Sequence, residues 1–229
     1  PNAPSVQQTL EEALSTLLRQ DIAVTGAGRT DTGVHAQTMV AHFDVELSQE
    51  KEANLAHLLN RYLDENIAIH SLKPVLDDAH ARFDATARTY QYHLGFQKHP
   101  FKQGLHYQIP TNLDVERMNA AAQILLEYTD FEAFAKKHSD VKTFLCDISY
   151  AGWERIDQGA IFTITANRFL RNMVRAIVGT LLEVGKGKIS VEAMYQIIQS
   201  KERGEAGYSV PACGLYLTEI HYPERIYKK

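Results

Sequence analysis

Apolar and polar residues follow two rhythms along this chain, and together they predict both helices and strands in each half. From residue 5 to 20, Val6, Leu10, Leu14, Leu17 and Leu18 recur at helical spacing, and Ser5 with Gln8 fits a capping box. Ile22-Ala23-Val24 and the alternating run from Thr38 to Phe43 read as strands on either side of a glycine-rich loop. A second helix is predicted over residues 49–63, with Leu55, Leu58, Leu59 and Tyr62 on one face, and Ile67-Ala68-Ile69 as a strand after it. The pattern lapses at residues 74–79. The domain boundary is placed there, giving an N-terminal α/β domain over 1–79 and a C-terminal α/β domain over 80–229.

The second half opens with a strand in residues 82–95, where Tyr90, Tyr92 and Leu94 alternate. Residues 97–110 hold Pro100, Gly104 and Pro110 and read as a loop. Residues 113–126 are predicted helical. Residues 148–153 and 160–166 form a hairpin turning at Asp157-Gln158-Gly159. A strongly patterned helix is expected from Arg168 to Val184, closed by Gly185, then a helix over 191–200 and a strand over 214–222. Helices and strands mixed in each half predict an α+β protein of two domains with a cleft between them.

Composition narrows the picture less. The chain has 229 residues, 45% hydrophobic and 23% charged, with a net charge of −4, which is ordinary for a globular protein. That charge argues against coating nucleic acid by bulk electrostatics but leaves room for a local basic cleft. Cys146 and Cys213 lack metal-site spacing and read as reduced thiols of a cytoplasmic protein. No apolar run approaches a membrane span.

The chemistry concentrates in Gly26-Ala27-Gly28-Arg29-Thr30-Asp31-Thr32-Gly33-Val34-His35-Ala36. Three glycines in eight residues let the backbone approach a ligand, and the flanking strands present one carboxylate, Asp31. A plain connection with a solvated Asp is the alternative. A dinucleotide cradle fits poorly, because the spacing is not G-x-G-x-x-G. Asp31-Thr32-Gly33 also spells the aspartic-protease tripeptide, but that chemistry needs two carboxylates sharing a proton, and no second copy occurs.

The eleven-residue string resembles the catalytic loop of the TruA-type tRNA pseudouridine synthases. Ala87-Arg88-Thr89-Tyr90-Gln91-Tyr92 and the segment Asn167-Arg168-Phe169-Leu170-Arg171-Asn172-Met173-Val174-Arg175-Ala176-Ile177-Val178-Gly179 match the same family in order. The resemblance implies two ferredoxin-like (RNP-like) α/β domains with a basic catalytic cleft between them, a homodimer, and tRNA as partner, with no cofactor, no metal, no membrane and no DNA. It implies an isomerase that converts uridine to pseudouridine at positions 38–40 of the anticodon stem-loop. The family's first strand, carrying D-G-T-x-Y-x-G-W-Q, is absent from these residues, so the sequence is expected to be a piece of a longer chain.

Site roles follow from the same resemblance. Asp31 is the nucleophile on a flipped-out uridine, Tyr90 stacks on the base, and Arg29 fills the gap the base leaves. A carboxylate suits the work, since it can attack C1′ or C6 and leave again. It must be ionised, and a nearby cation opposes the desolvation that would protonate it. Arg175 is the expected partner of Asp31, while Arg88, Arg168 and Arg171 are expected to contact tRNA. On a continuous helix Arg171 and Arg175 would share one side; a solvated helix edge is the plain alternative for all three arginines of that segment, as a core aromatic is for Tyr90 and Tyr92.

Lys136-Lys137-His138 and Lys186-Gly187-Lys188 could contact phosphates or be merely solvated. His35, His42, His93, His99 and His106 form no convincing metal set. Thr32, Cys146 and the residues before Gly214 depart from the family pattern. Two other classes stay open: a catalytically inactive tRNA-binding protein and a dimeric aspartic protease.

Overall fold

A computed structural model describes residues 5–109, 113–137 and 141–228. In chain order the helices and strands are α1 (Val6–Leu18), β1 (Thr25–Gly26), β2 (His35–Ala36), β3 (Ala41–His42), α2 (Gln49–Tyr62), β4 (Ala87–Gly95), β5 (Tyr107–Gln108), α3 (Val115–Ile124), β6 (Ile148–Ile156), β7 (Gly159–Ala166), α4 (Met173–Gly185), α5 (Ala193–Ser200) and β8 (Leu215–His221). This is a mixed α/β structure divided into two compact units. One comprises residues 5–29, 39–85 and 222–228, and the other comprises Thr30–Thr38 and Thr86–His221. No helix among the described residues is long and apolar enough to cross a membrane.

In the first unit α1 begins where its sequence signal lies: Ser5 Oγ accepts the Gln8 amide at 3.2 Å. The Gln8 side chain turns forward to Glu12 instead of back to Ser5, so the capping box is half made. Ala13, Leu14, Ile22, Val24, Leu55, Leu59 and Leu63 form the core. On α2 Leu55 and Leu59 are buried, with Leu63 buried just past its end, while Leu58 and Tyr62 are exposed, so only half of the face expected from sequence packs inward.

The strands expected at residues 22–24 and 67–69 are extended segments rather than ladder strands. The Ile22 amide donates to Ser15 Oγ (2.9 Å) and the Val24 amide to Glu11 Oε1 (3.0 Å), so side chains of α1 take the donors. At Ile69 the Asn60 side chain accepts the amide at 2.7 Å and donates to the carbonyl at 2.8 Å. Among the described residues this unit has one named strand pair, the antiparallel β1–β3, and an isolated antiparallel bridge between Val75 and Tyr227.

The second unit is built on a mixed sheet of order β2-β8-β4-β7-β6, with β5 beside β4. The β2–β8 and β4–β5 pairs are parallel and the others antiparallel. β4 and β7 pair without a break from Arg88↔Ala166 to Gly95↔Gly159. The β6–β7 hairpin turns through Gln158 at φ 59°. Helix α3 fastens to β6 through Asn119, which accepts the Trp153 amide at 2.7 Å and donates to its carbonyl at 3.0 Å. Core residues of α4 such as Ile177, Val178, Leu181 and Leu182 are fully buried with Phe131, Phe134 and Phe162.

The segment 168–172 is not helical. Asn172 sits in the left-handed region (φ 69°, ψ 0°), and α4 starts only at Met173. Asparagine tolerates that conformation better than most residues, so it ends the loop and opens the helix at once.

Candidate functional site

Asp31 opens a β-turn: the Val34 amide donates to its carbonyl at 3.1 Å, and Gly33 follows at φ 83°, the positive angle that a type II turn demands at its third residue. Directly after the turn, β2 docks on β8 with His35 opposite Tyr216 and Ala36 opposite Leu217. The Gln37 amide continues the pairing to the Leu217 carbonyl at 2.9 Å. Asp31 is therefore held by a tight turn on one side and a sheet edge on the other.

Two guanidinium groups meet its carboxylate. Arg175 Nη1 donates to Asp31 Oδ2 at 2.9 Å, and Arg171 Nε lies 3.9 Å from Oδ1. The two are unequal partners. The Arg175 side chain is 20% exposed and the Arg171 side chain 61%, so Arg175 is the fixed cation and Arg171 the solvated one. Because α4 starts at Met173, they reach the carboxylate from different backbone settings, Arg171 from the loop and Arg175 from the first helical turn.

Arg175 is itself tied down by the chain that follows α5. Its Nε donates to the Val210 carbonyl at 2.7 Å, and its own carbonyl accepts the Val210 amide at 3.2 Å. Two glycines permit that loop to lie on α4. A Cβ at Gly179 would overlap the Tyr208 carbonyl, and one at Gly207 would stand 2.6 Å from the Thr180 nitrogen. The Gly207 amide uses the gap to donate to Thr180 Oγ1 at 2.8 Å.

The carboxylate faces a cavity of about 560 Å³. Asp31 and Thr32 line it together with Lys136 and Lys137, and Asn172, Arg175, Arg203 and Ser209 complete the lining. Four cations face one carboxylate. The Lys136 amide donates to the Arg171 carbonyl at 3.1 Å, which seats the lysines beside the arginine segment. Such a lining suits an anionic ligand with one position reserved for the carboxylate.

Tyr90 lies on β4 between Ile164 of β7 and Leu217 of β8. The β4–β8 register shifts between Thr89 and Tyr90, an irregularity of the kind that re-aims a side chain. Its ring is half-buried and meets Phe169 edge to face at 5.2 Å. Burial raises the Tyr90 hydroxyl above its ordinary range; Arg88 opposes that, and the charge of Asp31 adds to it, so Tyr90 and Asp31 are within electrostatic reach. At neutral pH this phenol keeps its proton.

The other expected residues are dispersed. Arg88 Nη1 donates to the Asn167 carbonyl at 2.8 Å, joining β4 to the residue that opens the arginine segment. Arg168 lies close enough to the buried Cys146 to pull its thiol downward, although burial prevails and pushes it up to about 11. Arg29 is exposed and belongs to the first unit. Both cysteines are free. Lys186 and Lys188 both pair with Glu183, at 3.1 and 2.9 Å. His35 and His93 sandwich the Tyr216 ring at 4.6 and 4.5 Å. His138, singled out with Lys136 and Lys137, lies outside the described residues.

Asn172, Arg203 and Ser209 were not singled out from the sequence. The only signal for them is a lone arginine in the small-residue run Arg203-Gly204-Glu205-Ala206-Gly207 between α5 and β8. For Asn172 the expected helix start at Arg168 hid the turn.

Known proteins resemble this chain over most of its length. The family model described as tRNA pseudouridine synthase matches residues 1–84 and 121–223. The chain is 53% identical to tRNA pseudouridine synthase A of Porphyromonas gingivalis over 99% of its own length and 91% of the relative's. It is 52% identical to the protein of the same name from Bacteroides thetaiotaomicron, over 100% and 86% of the two chains. The corresponding protein of Acetivibrio thermocellus is 40% identical over 96% of this chain and 91% of the relative. On the strength of these likenesses, which run over nearly all of its described length, the chain belongs to the tRNA pseudouridine synthase family.

Proposed function

We propose that this protein isomerises uridine to pseudouridine at positions 38–40 of the tRNA anticodon stem-loop, with Asp31 as nucleophile. The reaction breaks the N1–C1′ bond, turns the base, joins C5 to C1′, removes the proton from C5 and leaves a proton on N1. Attack at C1′ and attack at C6 share one requirement, an ionised carboxylate with an open approach. The observation that carries the reading is Asp31 itself: one carboxylate, 29% exposed, held 2.9 Å from a largely buried guanidinium and facing a cationic cavity. Arg175 contacts Oδ2 and leaves Oδ1 with only the solvated Arg171 beside it, at 3.9 Å.

Tyr90 offers an aromatic face to an extruded base, whose removal from a paired stem costs stacking energy that such a face returns in part. Its protonated hydroxyl is suited to a hydrogen bond or a proton transfer. Arg171, Lys136 and Lys137 supply phosphate contacts beside the carboxylate, Arg88 and Arg168 extend them, and Arg29 enters the helix from which the base departs. The finer arrangement belongs to the same proposal: two ferredoxin-like domains with a boundary near residue 79, assembled as a cytoplasmic homodimer that holds the tRNA by shape and backbone. An aspartic-protease reading loses its support, because Asp31 is the only carboxylate of its cavity among the described residues and its partners are arginines.

The test is a primer-stop map of pseudouridine on unmodified tRNA transcripts, with wild type beside Asp31→Asn and tRNA affinity measured for both. Stops in the anticodon arm with wild type alone, at equal affinity, are expected. Modification by Asp31→Asn at the wild-type rate overturns the nucleophile, and binding without stops by wild type overturns the reaction.

A further inference from the structure

Arg203 is a cation of the Asp31 cavity whose hydrogen bonds return to its own loop. Nη1 donates to the Ala206 carbonyl at 3.3 Å and the Gly207 carbonyl at 3.0 Å, and Nη2 donates to Ser209 Oγ at 2.9 Å. Ser209 Oγ in turn accepts from Asn172 Nδ2 at 2.6 Å. Asn172 is the left-handed residue from which α4 starts, three residues before Arg175. Val210, the residue after Ser209, holds Arg175 through both its carbonyl and its amide. One guanidinium thus organises a turn that grips the Arg175 side chain directly and the start of its helix through Asn172.

We propose that Arg203 is a positioning residue of the isomerisation: it shapes residues 206–210 so that they fix Arg175, and through Arg175 it aims the Asp31 carboxylate. This rests on the function proposed above. A planar fork is needed, because three acceptors on one turn must be met at once, and an ammonium on a flexible stem meets them without fixed direction. Partial burial holds the Arg203 guanidinium below its usual range, as expected for a group turned toward the protein more than toward solvent. The competing role for a cavity cation is direct contact with a tRNA phosphate, and the two roles separate in kinetics.

Single-turnover rates and tRNA dissociation constants are measured for the full chain with Arg203→Ala, Arg203→Lys and Ser209→Ala, alone and combined with Arg175→Lys. Positioning predicts that Arg203→Ala slows the chemical step by about 10- to 100-fold, the scale of a small misplacement. The dissociation constant and its salt slope stay at the wild-type values, as for a residue without a phosphate contact. Arg203→Lys recovers little, added guanidinium ion restores part of the rate, and in the Arg175→Lys background Arg203→Ala has almost no further effect. A weaker dissociation constant with the salt slope reduced by about one unit assigns Arg203 to a phosphate and overturns the proposal. A fully additive double variant, or a wild-type rate in Arg203→Ala, overturns it as well.

Should Arg203→Ala fail to fold by circular dichroism and thermal melting, Ser209→Ala decides, with a smaller loss that must also vanish in the Arg175→Lys background. Failure of the underlying function is visible separately, as wild type that forms no pseudouridine, and the proposal falls with it.

Discussion

The two units hold their extended backbone in different ways. In the second unit, β4 is hydrogen-bonded to β7 on one side and β8 on the other, so main chain satisfies main chain over most of nine residues. In the first, the segments at 22–24 and 69 depend on Ser15, Glu11 and Asn60, each a single side chain serving a backbone group. A ladder survives replacement of the side chains along it, whereas a backbone group served by one side chain loses its partner to a single substitution. The Asp31–Arg175 pair lies in the unit built by the first method, where a carboxylate can be held to the tolerance that chemistry needs.

The largest effect expected in breaking this contrast comes from Gly179→Ala. The added methyl meets the Tyr208 carbonyl, a backbone atom that cannot swing aside, so residues 206–210 must lift from α4. Overpacking of this kind costs about 1–3 kcal/mol. Thermal melting should register that cost, and tRNA modification should fall by more than the melting shift alone explains.

Asn60→Ala comes next. It removes both bonds to Ile69, at a cost of about 1 kcal/mol because the site is open to water. Amide exchange at Ile69 should quicken while exchange in β4 and β7 does not change. Equal acceleration in both units would end the contrast drawn here.

The smallest effect is a pH dependence. The Val24 amide, and secondarily Gln7, hold the Glu11 carboxyl below its ordinary value of 4.5. The unfolded chain therefore takes up the proton first as pH falls, so the stability this carboxylate contributes is complete above about 4.5 and is lost on descending through the folded value. Glu11→Gln should flatten the acid limb of a stability–pH curve over that window, and an unchanged limb would remove Glu11 from the account.

These contrasts also explain what could be read from the chain alone. Helix α1 was legible because its cap and its apolar stripe are both local. The alternation Tyr90, Tyr92, Leu94 was legible because side chains alternate between faces and this face is the more buried one, with Tyr92 and Leu94 buried and Gln91 and His93 only partly so. Residues 67–69 carry the same kind of apolar signal, but what distinguishes them is Asn60 nine residues away, and hydrophobic pattern does not encode a side chain taking a ladder's place. The start of α4 was misplaced for a related reason. Residues 168–172 have helical composition, and the left-handed turn at Asn172 is sustained by Ser209, far along the chain. Of the site, Asp31 announces itself through its glycines, whereas Arg203 touches mostly its own loop and offered no recognisable motif.

Among the described residues β2 pairs with β8 alone, and this single pairing ties two distant stretches of the chain together. The turn that carries Asp31 and the strand that steadies it, which begins at Leu215, lie far apart in sequence. A chain stopped before residue 206 would carry the Asp31 turn without the strand that β2 rests on and without the residues that grip Arg175. Such a fragment is expected to leave tRNA unmodified, which the primer-stop assay would check.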